Sequence, residues 1–264
     1  MTTKRLIFTV TTGRSGTDYL ARMLECVPGV ASRHEARPNF VWAMRDAQTD
    51  PELARRFWVE QKLPSIELTN GSVYAETSHV VCKGFLEPLL ELGHRPDLIL
   101  LRRPHREVAM SMYRLGTIPG RTTKGLKWYL HPDDPGVLAL PGWQELHDYQ
   151  ICYWYCLEIE RRRQMYEQMI QALGGRVVSI TLAELATFGG FMRLRKELDL
   201  PRFLVGPAHW LRYFRRTRVR ANTQAKSKRE TPLPDTPEAL EREVDEAVAR
   251  GGLTSSRVES FLDG

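Results

Sequence analysis

The chain has 264 residues, 42% hydrophobic and 27% charged, with 38 basic against 32 acidic side chains and a formal charge of +6. A chain of this length buries about 70–75% of the surface its unfolded form exposes, so the composition describes a globular protein and excludes a disordered tail, a collagen-like fibre and a small disulfide scaffold. No stretch approaches 18 uninterrupted apolar residues, so no membrane span is predicted, and Met1 to Thr11 reads as a first strand rather than a secretory signal.

Short β-branched runs alternate with amphipathic stretches, without internal repeats. Arg5 to Thr11 is a buried strand by composition. Ser15 to Cys26 places Tyr19, Leu20, Met23 and Leu24 at helical spacing. Gly29 to Arg33 is a short second strand, expected beside the first as sequential elements often are. Asn39 to Arg45 and Asp50 to Glu60 are helical, with Asp50-Pro51 as a start signal. Val73 to Glu76 and His79 to Lys83 are short strand candidates, and Leu86 to Leu92 is helical. Asp97 to Leu101 is a buried strand, followed by a helix over Arg106 to Leu115. Residues 117–141 read as one long loop, a lid or binding loop by length. Trp143 to Leu173 is a single long helix closed by Gly174-Gly175, and Arg176 to Thr181 is the next strand. Phe188 to Leu198 is helical, 217–234 is a basic loop, and Pro237 to Arg250 is a closing helix. The pattern predicts one domain over 1–264: an α/β, three-layer αβα fold with a central, mainly parallel sheet, in which ligands bind at the carboxyl ends of strands.

Cys26, Cys82, Cys152 and Cys156 lack zinc-site spacing and read as buried thiols in a reducing, cytoplasmic compartment. Of the 38 basic residues 8 are Lys and hence 30 are Arg, whose planar five-donor fork suits phosphate and sulfate. The charge excess implies an anionic partner and leaves nucleic acid, anionic lipid and a phosphorylated cofactor open.

Thr12-Gly13-Arg14-Ser15-Gly16-Thr17 joins the first strand to a helix. Its glycines permit close approach and unusual backbone angles, and the N–H groups of the helix start suit a bound phosphate. The full Walker A pattern is absent, because no Lys follows Gly16. This segment resembles the loop of sulfotransferases that use 3′-phosphoadenosine 5′-phosphosulfate, where a basic residue and Ser-Gly-Thr cradle the 5′-phosphosulfate. Asp18 departs from that pattern and is read as facing away. About 90 residues on, Arg102-Arg103-Pro104 followed by Ser111 resembles the family's Arg-x-Pro motif, whose Arg and Ser take the 3′-phosphate. Position before Pro104 favours Arg102 and distance to Ser111 favours Arg103. Thr181 stands in the family's Tyr-Glu-x-Leu segment near the adenine, and Arg220, Asn222 and Lys226 in the late basic loop stand where the family closes over the 3′-phosphate.

The resemblance implies sulfuryl transfer without a metal, to a hydroxyl or amine of a small-molecule, carbohydrate or lipid acceptor, with no nucleic acid as partner. Transfer of this kind asks for alignment, cations at the leaving phosphate and a base at the acceptor. Arg14 and Lys83 are the candidate cations. Phe85 fills the place of the family's catalytic His, so the base lies elsewhere: Glu35 or His34 after the second strand, or Glu76. Aromatic residues from Trp128 to Tyr155, Tyr129 and Trp154 among them, form either an acceptor wall or core. Two other readings stand beside this one: a P-loop kinase-like phosphotransferase, and a non-catalytic nucleotide- or nucleic-acid-binding protein using the basic segment after Tyr213.

Overall fold

Among the residues described by the computed structural model, which are 4–201, 211, 213–215 and 234–254, five apolar runs pair as one parallel sheet. The strands are β1 (Arg5–Val10), β2 (Val30–Arg33), β3 (Val73–Glu76), β4 (Asp97–Arg102) and β5 (Val177–Thr181), in the order β2-β3-β1-β4-β5. Ile7 stands opposite Asp97 and Val10 opposite Leu100, while Phe8 and Arg33 both face Glu76.

Both faces of the sheet are buried, as in three-layer α/β folds. Leu6, Phe8, Val10, Leu98 and Leu100 point to one side, against α5 (Leu86–Glu91), α6 (His105–Arg114) and the 25-residue α8 (Asp148–Ala172). Ile7, Ala75, Ile99, Leu101 and Ile180 point to the other, against α1 (Thr17–Leu24) and α10 (Phe188–Glu197). The short helices α2 (Met44–Ala47), α3 (Pro51–Arg56) and α4 (Leu63–Glu67) complete the first layer, joined by a wide helical turn, Phe57–Lys62, that turns Phe57, Trp58 and Lys62 inward. Asp50 caps α3 through its side chain, with Pro51 in the first turn as predicted. Tyr149, Trp154 and Tyr155 of α8 are core residues, each 0% exposed. The four cysteines are free and buried, and no described helix is long and apolar enough to cross a membrane.

Four expectations are corrected. β2 does not lie beside β1, because β3 enters between them and pairs with both. His79 to Lys83 is a series of turns rather than a strand: its apolar run is buried in the core without a sheet neighbour, which a short apolar run alone does not reveal. The 117–141 segment contains a helix, α7 (Thr123–Trp128), started by Thr122, whose Oγ1 accepts the Gly125 N–H at 3.1 Å. There the missing side chain of Gly125 admits the carbonyl of Ile118, which a Cβ would overlap. The long helix begins at Asp148, not Trp143, because His147 is extended and closes a capping box with Gln150.

The chain leaves β1 through α1 toward β2 on one side and leaves β4 toward β5 on the other. The crevice between the carboxyl ends of β1 and β4 is therefore the point at which this topology places ligands. The predicted basic loop at 217–234, with Arg220, Asn222 and Lys226, lies outside the described residues.

Candidate active site

The loop after β1 is held at both ends. Thr11 Oγ1 donates to Leu101 O at 2.7 Å, tying the loop to β4, and Thr77 Oγ1 donates to Thr17 O at 2.9 Å, tying the start of α1 to β3. Thr12 Oγ1 and Ser15 Oγ share a 2.5 Å hydrogen bond across the turn. Arg14 and Gly16 both have left-handed backbone, with φ of 68° and 92°. At Gly16 this angle alone selects glycine, and a Cβ would also lie 2.5 Å from Leu182 Cδ1 of α9 (Leu182–Leu185). Among the described residues no carbonyl or side chain takes up the N–H groups of Ser15, Gly16 or Thr17. Such a row of donors at the head of an eight-residue helix suits an anion. Asp18 pairs with Arg22 at 2.9 Å, along the helix and away from the loop, as expected.

The second motif closes on this loop. Arg14 Nε lies 3.3 Å from Ser111 Oγ, and Arg103 Nη1 donates to Arg14 O at 2.9 Å. Residues about 90 apart in sequence thus form one cationic corner. Of the two arginines left open by sequence, Arg103 stands at the loop. Arg102 turns toward α8, 3.4 Å from Glu160, which Arg163 and His105 also approach.

On the other side of Gly13 stands a cluster that sequence reasoning did not assemble. His79 Nδ1 lies 3.0 Å from Lys83 Nζ, and His79 Nε2 lies 3.4 Å from Glu35 Oε1. The imidazole stacks on Trp128 at 5.7 Å, and its Cε1 is 3.5 Å from where a Gly13 side chain would begin. Tyr129 at the end of α7 covers Gly13 in the same way. Lys83 is 0% exposed; it donates to Trp128 O and sits over the rings of Tyr129 and Tyr155, 5.1 and 5.0 Å from their centroids. It therefore reaches the crevice through His79 rather than as an open cation. The i,i+4 spacing of His79 and Lys83 was the available sign, hidden by reading the segment as a strand.

Burial sets the ionisation of the cluster. Desolvation raises the Glu35 carboxyl above its usual range, against the opposing charges of His34 and Lys83. Desolvation holds His79 well below 6.5, with Lys83, His34 and Arg14 adding to it, so the imidazole is neutral near pH 7. Desolvation also lowers Lys83, to about 7.

Glu35 has left-handed backbone, φ 47°, and its neighbours hold it there. Buried Lys62 donates to Ala36 O at 3.1 Å and Pro38 O at 2.9 Å and pairs with Glu76 at 2.7 Å. Glu76 accepts the Ala36 N–H at 3.1 Å and the Tyr74 hydroxyl at 2.5 Å. Of the three candidate bases, Glu76 is thus part of the buried frame under Glu35, 1% exposed and with both oxygens engaged. His34 is exposed and donates from Nδ1 to Thr77 O at 2.9 Å. The Thr181 hydroxyl is engaged in the capping box of α9 with Glu184, and Leu182 is the residue of that segment that approaches Gly16.

No family model matches the chain, and no curated protein matches it. Among solved structures it is similar to the sulfotransferase domain from the curacin biosynthetic pathway, at 15% identity and a TM-score of 0.49, over 92% of this chain and 98% of that chain.

Proposed function

We propose that the protein is a sulfotransferase that takes 3′-phosphoadenosine 5′-phosphosulfate in the crevice between β1 and β4 and passes the sulfuryl group to a hydroxyl or amine of a small-molecule, carbohydrate or lipid acceptor. The observation that carries this reading is the meeting of the two motifs: Ser111 3.3 Å from Arg14, and Arg103 bonded to the Arg14 carbonyl. The residues present fit the donor. The N–H groups of Ser15, Gly16 and Thr17, with Thr12, Gly13 and Arg14, would hold its 5′ end, and Arg103 with Ser111 its 3′-phosphate. When bound, the donor supplies a sulfuryl group on a phosphate leaving group.

The chain's own residues then do three things. Arg14 supplies charge where negative charge grows. Glu35, raised by burial, accepts the acceptor's proton, its other oxygen lying toward His79. Tyr129 covers Gly13 of the loop and Trp128 covers His79, and together they keep water from both.

Calorimetry with adenosine 3′,5′-bisphosphate, adenosine 5′-monophosphate and ATP–magnesium tests the reading. Charge-assisted hydrogen bonds to the 3′-phosphate contribute about 1.5–3 kcal/mol each, so the bisphosphate should bind at least about tenfold more tightly than the monophosphate. Equal affinities, or preference for ATP–magnesium, would refute it.

A further inference from the structure

We infer that Lys83 is a positioning residue: it fixes the proton of His79 on Nε2, and His79 thereby presents a donor to Glu35 Oε1 and leaves Oε2 to receive the acceptor's proton. The inference rests on the proposed function for what Glu35 does, and on geometry alone for what Lys83 and His79 do.

An ammonium group has three donors and no lone pair. With Lys83 Nζ 3.0 Å from His79 Nδ1, that nitrogen must be the acceptor and the ring proton must sit on Nε2. Nε2 stands 3.4 Å from Glu35 Oε1, a separation of the kind that shortens when a catalytic site fills. A half-turn of the ring would put Cδ2 where Nδ1 stands and lose the Lys83 bond. Lys83 in turn is fixed by Trp128 O and by the faces of Tyr129 and Tyr155. The three groups form a series from the core outward, Lys83 to His79 to Glu35, and its middle member, His79, stands beside Gly13 of the loop. No proton needs to pass along it. The acceptor's O–H bond breaks to Glu35, and the Nε2 proton stays where it is, steadying the carboxylate before transfer and orienting the carboxylic acid after it.

The other charged groups around the series do not supply this function. His34 and Arg14 face His79, Cys82, Arg162 and Arg45 surround Lys83, and His34 and Glu76 face Glu35. Among the described residues, Lys83 is the cation bonded to the ring of His79.

The test is two-bond ¹⁵N–¹H NMR of the histidine-labelled full chain at pH 6, where burial keeps His79 neutral and Lys83 charged. The signal is assigned by its loss in His79→Asn. A neutral ring protonated on Nε2 is expected. In Lys83→Met the signal should move to the Nδ1–H form or to an exchange average, and the Glu35 midpoint, followed by carboxyl ¹³C shifts, should rise, because the Lys83 charge that lowers it is gone. A proton on Nδ1 or an imidazolium in the unaltered chain, or a His79 signal unchanged by Lys83→Met, overturns the inference. The unaltered chain alone decides the first point, whatever becomes of the variant. Calorimetry with adenosine 3′,5′-bisphosphate on the same samples is independent. Its failure removes the proposed function while the tautomer result stands, and a wrong tautomer with intact nucleotide binding removes only the positioning role of Lys83.

Discussion

Lys83 also makes a measurable demand on stability. Its ammonium is sealed between two tyrosine rings, and desolvation lowers it from 10.5 to about 7. Below pH 7 folded and unfolded chains both carry the proton, and the folded state bears the whole penalty of the buried charge. Between pH 7 and 10.5 the unfolded chain keeps a proton that the folded chain has released, so the unfolded state binds more protons and stability rises with pH. At about 1.36 kcal/mol per unit, the lowering amounts to about 5 kcal/mol, of which about 3–4 kcal/mol is recovered between pH 7 and pH 10. Lys83→Met removes this dependence and leaves His79 Nδ1 and Trp128 O without their donor, at about 1–3 kcal/mol for each unmet acceptor. The variant should therefore be close to the unaltered protein in stability at pH 7 and fall about 3–4 kcal/mol behind it at pH 10. Urea unfolding followed by tryptophan fluorescence at half-unit steps measures both curves, and groups common to the two proteins cancel in the difference. A difference that stays constant from pH 7 to pH 10 would show that Lys83 is not held down by its surroundings and would refute the reasoning.

Glu35→Gln should keep fold and nucleotide binding and lower sulfuryl transfer by about 100- to 10,000-fold, the scale of general-base loss; in the unaltered protein, activity should rise with pH through a midpoint above the usual 4.5 of a glutamate, because burial raises Glu35. Transfer of label from ³⁵S-donor to a panel of alcohols and phenols measures both, and a Glu35→Gln chain with undiminished transfer would return the role to His34. Arg103→Ala should weaken adenosine 3′,5′-bisphosphate by about 10- to 150-fold more than it weakens adenosine 5′-monophosphate, while Arg102→Ala should change neither by more than about threefold; calorimetry distinguishes them, and the reverse pattern would assign the 3′-phosphate to Arg102.

Local patterns carried much of the fold. β1, β4 and β5 are runs of aliphatic and β-branched residues bounded by polar or turn residues, and α1, α6 and α10 carry apolar residues at helical spacing, so their placement needed no tertiary information. The strand order did not follow from the sequence, because nothing local tells β3 to enter between β2 and β1. The left-handed turn after β1 was legible for a related reason: Gly13, Gly16 and the hydroxyls act through their own backbone, within seven residues. The choice between Arg102 and Arg103 was not, because spacing favoured each on a different count and only the approach of α6 to the loop separates them. His79 stayed out of view because its role depends on partners 44 positions before it and four after, Glu35 and Lys83. The burial of Glu76 is hidden for the opposite reason. A glutamate at a strand end looks available, and only the packing of Lys62 and Tyr74 around it reveals a buried frame.

The insertion of β3 is what places His79 between the proposed base, Glu35, and the loop. Had β2 paired with β1, the turn after Arg33 would have stood directly beside the loop, with no segment between them to carry His79. With β3 in that place, its carboxyl end supplies both Glu76 below the turn and, three residues later, His79 between Glu35 and Gly13. The two residues proposed to handle charge, Arg14 and Glu35, are also two of the three described non-glycine residues with left-handed backbone. Each such residue costs on the order of 1–3 kcal/mol and persists only where its surroundings over-determine it. At Arg14 the Arg103 bond to its carbonyl does this, and at Glu35 the Lys62–Glu76 pair and the Asn39 bond to the Glu35 carbonyl do. Both devices hold the backbone and leave the side chain to act. Replacing Lys62 and Glu76 together by apolar residues of similar volume should therefore change stability little while freeing Ala36 and Pro38 and with them the direction of the Glu35 carboxylate, and urea unfolding beside the Glu35 midpoint measures the two effects separately.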